Sequence, residues 1–327
     1  MDGVKKSGAR AARPAVPRLE ARDLLTAAAL PPMLLLSWGL PERAWDGLAR
    51  AAARAHLSSR RNWHAQQQAH IRHYVGARLG PGAESALASA LTTNLRLAQL
   101  QALRCHRPGG WNPTLVLEGR AHLDAALERG RGVVLWVAPF VFAPLLTKMA
   151  LQAGGYSVMQ LSRFSHGYSK SRWGARLINR VRTLAEDRFL AERVTIDADG
   201  ATAGPMRAVV GRLRSNGIVS ISVGADGVQT VTVPFLDGGI RLATGAVSLT
   251  QKTGAALLPM FTVRQDDGSF RAFVEPPLGP IVGPDHEPTV TATARAFATK
   301  LESFALRWPG QLVWHYDILR LAAGPAG

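Results

Sequence analysis

Cysteine occurs once, at Cys105, so an internal disulfide framework and a cysteine-based metal cluster are both excluded. Acidic residues are scarce too: 23 Asp and Glu stand against 39 Lys and Arg, leaving a formal charge of +16. That imbalance says nothing about fold, but it points to an anionic partner: phospholipid headgroups, phosphopantetheine-type thioesters or RNA. No apolar run reaches the roughly 20 residues that a helix needs to cross a bilayer. The stretch Leu24–Leu40 is free of charge over 17 residues and is interrupted by Pro31-Pro32, so a helix–turn–helix is expected there. It would pack on the body or lie in the membrane interface, with Trp38 and Trp45 at the boundary. The chain also has no Gly-x-Ser-x-Gly elbow, no P-loop and no dinucleotide fingerprint, which disfavours the enzyme classes built on them.

What is present is an ordinary globular composition, 47% apolar and 19% charged, in a 327-residue chain long enough for one large domain or two smaller ones. Residues 1–22 read as a basic flexible tail, 23–106 as a helical N-terminal extension and 107–327 as an α/β domain. In the extension, Ala, Leu, Arg and Gln predominate from Glu42 to Leu103, predicting two or three helices. His70 and His73 are three residues apart there, but no carboxylate or cysteine accompanies them, and no metal site is expected.

The texture changes at Arg107-Pro108-Gly109-Gly110. Continuous apolar runs predict strands at Val133–Val137, Tyr156–Leu161 and Ile218–Val223. Further strands are expected at Thr230–Val233, Ala256–Val263 and Phe270–Glu275. Helices are expected over Leu145–Ala153, Arg172–Arg188, Met206–Leu213, Thr244–Lys252 and Val290–Arg307. Strands alternating with helices predict a mainly parallel sheet covered by helices, with right-handed crossovers.

Three blocks, Leu117–Ala138, Val231–Phe261 and Arg307–Arg320, resemble in order and spacing the lipid A lauroyl/myristoyl acyltransferase branch of the lysophospholipid acyltransferase superfamily. The resemblance implies an α/β enzyme that moves a fatty acyl group from an acyl-carrier-protein or coenzyme A thioester onto a lipid hydroxyl, in the cytoplasm, peripherally at the inner face of the membrane. It also implies a His-x-x-x-x-Asp/Glu dyad just after Val133–Val137. The chain reads APFVFAP there and places Pro139 and Pro144 at the dyad positions. Proline cannot take a proton, so either the acceptor is non-standard, a nitrogen nucleophile or another lipid, or a different residue takes the proton.

Candidates for the remaining chemistry follow from topology, because open α/β sheets bind ligands beyond the carboxyl ends of their strands. Arg163, Ser165 and His166 follow the strand Tyr156–Leu161, with the first two as substrate contacts and His166 as a catalytic group. Asp226 ends another strand and is a second catalytic candidate. Gly238, in the block Val233–Gly239, is a substrate-side candidate, whereas His315 reads as structural. Two other functions stay open: aminoacyl transfer from an aminoacyl-tRNA, with the basic helices on phosphates, and non-catalytic binding of an acyl chain or lipid.

Overall fold

The computed structural model describes residues 16–164, 166–196, 202–224, 229–279, 290–314 and 319–320. Helices α1 (Ala21–Gly39), α2 (Trp45–Ser59), α3 (Arg61–Val75) and α4 (Ala83–Arg104) come first. Strands and helices then alternate: β1 (Leu115–Glu118), α5 (Arg120–Glu128), β2 (Val133–Val137), α6 (Ala143–Ala153), β3 (Val158–Arg163), α7 (Arg172–Asp187), β4 (Glu192–Ile196), α8 (Ala203–Arg214) and β5 (Ile218–Ser222). A hairpin of β6 (Thr230–Phe235) and β7 (Gly238–Ala243) follows. After it come α9 (Gly245–Thr253), β8 (Ala256–Arg264), β9 (Phe270–Val274), α10 (Val290–Arg307) and β10 (Leu319–Arg320).

The main sheet has seven strands in the order β1-β9-β8-β2-β5-β3-β4. Five of them, β8 to β4, run parallel, while β9 pairs antiparallel with β8 and carries β1 in its own direction. All five side chains of β2 are buried, as expected of a strand covered by helices on both faces. Edge strand β4 opens with Glu192 and Arg193, carries Thr195 and is only partly buried, which is why no apolar run marks it. Thr230–Val233 lies outside the main sheet, in a three-stranded sheet ordered β10-β7-β6.

The N-terminal helices share the core of the sheet region. Trp45, expected at a membrane boundary, is instead buried and sits 6.4 Å from Trp111, while Tyr74 packs on Phe235 and Trp314 at 5.9 and 6.2 Å. The predicted break at Pro31-Pro32 is also corrected, because α1 runs through both prolines. Both rings are exposed, and anchors beyond them hold the helix: Ser37 Oγ donates to Leu100 O at 2.9 Å and Trp38 Nε1 to Leu103 O at 3.1 Å. Arg104 returns two hydrogen bonds to the carbonyls of Ser37 and Trp38. Tertiary anchoring thus outweighs a local penalty of about 3 kcal/mol per interior proline. The basic stretch expected to be flexible through Arg22 is docked at its end, where Pro17 O and Arg18 O accept from Arg172 N and Trp173 N. Among the described residues no helix is long and apolar enough to cross a membrane.

Candidate functional site

Parallel pairing aligns the carboxyl ends of β8, β2, β5, β3 and β4 along one edge of the sheet. At the end of β2 the chain folds tightly: Ala138 N donates to Met260 O, and Phe140 N donates back to Ala138 O across Pro139. A later segment straps this turn down, with Val141 N donating to Gln311 O at 2.9 Å and Val313 N to Pro139 O at 3.0 Å. Ala138, Phe140, Val141 and Phe142 are buried, while Pro139 and Pro144 are half-buried. Pro144 lies in the first turn of α6, where its missing N–H leaves no intrahelical bond unmade. Neither proline side chain can move a proton.

Charge reappears one turn later. Lys148 lies four residues beyond Pro144 on α6, and a helical side chain leans toward the N-terminus of its helix. Its Nζ accordingly donates to Pro144 O and lies 3.2 Å from Glu186 Oε2 near the end of α7. Glu186 is 1% exposed and gathers Arg182 Nε at 3.1 Å, Arg193 Nη2 of β4 at 2.8 Å and His166 Nε2 at 2.9 Å. Arg193 also bonds Asp187 and Ser162.

The loop that carries His166 is pinned rather than solvated. Asn179 Oδ1 accepts from Tyr168 N at 2.6 Å and Ser169 N at 2.8 Å, and its Nδ2 donates to Ser169 O. Gly167 takes φ +144°, and a Cβ there would meet the Asn179 side chain at 2.5 Å, so this approach requires glycine. From the other side Asp23 of α1, itself buried, accepts from Ser171 Oγ at 2.6 Å.

Burial alone would raise the Glu186 carboxyl, but Lys148, His166 and Arg182 around it hold it well below the ordinary carboxylate range. The carboxylate therefore stays ionised. Burial lowers His166 below its ordinary 6.5 despite the pull of Glu186, with Arg182 and Lys148 adding to the lowering. A neutral imidazole results, with Nε2–H donated to Glu186 and the Nδ1 lone pair left over.

Of the residues expected from sequence, Arg163 ends β3 beside Ile196 of β4 and is exposed, and His166 follows it in the pinned loop. Ser165, Asp226 and His315 lie outside the described residues. Gly238 opens β7 beneath α3, and a Cβ there would stand 2.7 Å from the Tyr74 ring and 2.8 Å from His73 Nε2. Its close approach is to the chain's own rings. Lys148 and Glu186 were missed. A signal existed for the lysine, which is the single charged residue between Arg131 and Arg163. Among the described residues no three His, Cys, Asp or Glu side chains gather as metal ligands would.

Comparison with known families places these features in context. The family described as bacterial lipid A biosynthesis acyltransferase matches residues 110–320, about two thirds of the chain. The matched region spans β1 to β10, and α1 to α4 precede it. Comparison with curated proteins gives no match.

Proposed function

Because the chain belongs to the bacterial lipid A biosynthesis acyltransferase family, we propose that it transfers an acyl group from an acyl-coenzyme A or acyl-carrier-protein thioester to a nitrogen acceptor. The observation that carries this reading is the pair of prolines at 139 and 144, in a turn sealed by apolar side chains and strapped by Gln311 and Val313. A positioned base is worth about 10²–10⁴-fold in rate to a hydroxyl acceptor. A neutral amine, hydroxylamine or hydrazine attacks a thioester with its own lone pair and needs no proton removed beforehand. The family chemistry persists if the acceptor changes, because thioester activation and proximity do not depend on the dyad.

A membrane surface is the proposed setting. Leu24, Leu25, Leu35 and Leu36 of α1 are exposed, Leu25 and Leu35 by 71% and 72%, and Trp173 and Leu177 continue the apolar surface on α7. Arg172, Arg176 and Arg180 are exposed on that same helix. An apolar strip beside arginines matches an interface in which leucines enter the acyl boundary and guanidinium groups meet anionic headgroups.

The test incubates the purified chain with radiolabelled acyl-coenzyme A and acyl-carrier protein, on anionic vesicles, with alkyl alcohols, amines and hydroxylamines of matched length. Amide or hydroxamate products exceeding ester by at least tenfold are expected. Ester alone, or no product from any acceptor, overturns the reading.

A further inference from the structure

The family's dyad positions are empty of titratable groups, yet a histidine bound to a buried carboxylate lies close by in the fold. β2 and β3 are separated in the sheet by β5 alone, so their ends stand roughly 10 Å apart at the usual strand spacing. Lys148 of α6 bonds Pro144 O one turn back in its own helix and reaches Glu186 of α7. Glu186 in turn holds His166 Nε2 at 2.9 Å from both carboxylate oxygens.

We propose that His166, oriented by Glu186, is the proton acceptor of the transfer reaction, a relocated histidine–carboxylate pair at the end of β3 in place of the one absent after β2. The proposal rests on the acyl-transfer reading above and deepens it by naming the group that handles the proton. Three features support it. Glu186 fixes the tautomer, because its carboxylate accepts from Nε2–H and leaves the Nδ1 lone pair as the basic site. The His166 side chain is 26% exposed, whereas Glu186 behind it is 1% exposed, so only the histidine has an open side. Its loop is held on two sides, by Asn179 of α7 and through Ser171 by Asp23 of α1, the restraint that a catalytic group needs.

The strength of this base fits a nitrogen acceptor better than a hydroxyl. Burial disfavours the imidazolium, and Arg182 and Lys148 add to that against the pull of Glu186, so His166 is a weak base. An amine that has attacked the thioester carbon carries an acidic N–H⁺ in the tetrahedral adduct, which a weak base readily deprotonates. His166 Nδ1 takes that proton as the new C–N bond settles. The C–S bond breaks, the electron pair leaves on sulfur, and the imidazolium returns its proton to the thiolate, giving amide and free thiol with His166 neutral again.

The experiment compares His166→Gln, His166→Ala and wild type for kcat, its pH dependence and thermal stability, using the amine acceptor and acyl-coenzyme A. Glutamine keeps a donor toward Glu186 and removes the base, so its kcat should fall about 10²-fold or more while its melting temperature stays close to wild type. The acid limb of the wild-type profile, set by His166 among Glu186, Asp187, Lys148, Arg182, Arg193 and the Tyr168 phenol, should vanish in the variant. Imidazole added to His166→Ala should restore part of the rate. Wild-type turnover with His166→Gln within threefold of it overturns this proposal and leaves the acyl-transfer reading standing. Absence of turnover in wild type defeats that reading itself, and this proposal with it. If both variants fail to fold, carbethoxylation of His166 in the wild-type chain decides: blocked transfer supports the role, and undiminished transfer by the modified chain overturns it.

Discussion

Two strand ends of one sheet differ in every chemical respect. After β2 the chain is apolar, carries Pro139 and Pro144, and is strapped down by backbone bonds from Gln311 and Val313. After β3, two places along the sheet, it carries a pinned loop and a fully buried carboxylate that gathers a histidine, a lysine and two arginines. The contrast teaches that parallel strand ends of one sheet can be finished in opposite ways, one by apolar packing and backbone bonds, the other by buried charge. One end holds by apolar packing and the other by charge, so the two should break differently.

The largest effect is expected from Glu186→Ala. It strands Lys148, which is 5% exposed, and takes a carboxylate from Arg182 and Arg193, and breaking a buried ionic cluster from one side costs about 3–5 kcal/mol. Denaturant titration checks it, and a loss below about 1 kcal/mol would mean that water or relaxation compensates the cations. Gly167→Ala comes next, at about 1–3 kcal/mol from the backbone conformation alone. The clash with Asn179 should also displace His166, so activity should fall more than stability does.

Acid sharpens the same contrast. Because His166 is held below 6.5 in the fold, the unfolded chain takes up the proton first, and stability should decline as pH falls from about 6.5 through the lower folded value. His56 and His70, also lowered by burial, add to that slope. Glu186 acts in a lower window: its contribution is full above about 4.5 and is lost as pH falls through its depressed folded value. Melting temperatures from pH 7 to about 2 should show both phases, the first reduced in His166→Gln. Pro139→Ala, at the other strand end, should change stability by less than about 1 kcal/mol, since the Pro139 carbonyl that accepts from Val313 is kept. Smallest in stability is Leu25→Asp with Leu35→Asp on the exposed face of α1, expected within about 0.5 kcal/mol per site, while vesicle binding is lost.

The parts of the fold legible in the sequence were those whose burial is continuous along a strand or repeats with helical period. β2 and α10 fall on the predicted residues, and β5 and β8 differ by one residue at one end. β4 and β7 carry polar residues on partly solvated strands and gave no apolar run to find. The double proline was misread because a local rule cannot weigh the bonds from Ser37, Trp38 and Arg104 that hold α1 straight through it. The place of His166 just beyond a strand could be read from the sequence. The Glu186 partnership could not be read, because Lys148, His166 and Glu186 come together only when α6, the loop after β3 and α7 pack on one face.

The strap across the end of β2 has a consequence for how the molecule is made. Phe140 bridges to Leu312, so a turn around residue 140 takes its final shape only when about 170 further residues have been translated. Contacts so far apart in sequence form late. A nascent chain halted in α10 would hold the ionic cluster of α6, α7 and β4 already assembled while the neighbouring turn, with buried-to-be Phe140 and Val141, stayed open to solvent and to chaperones.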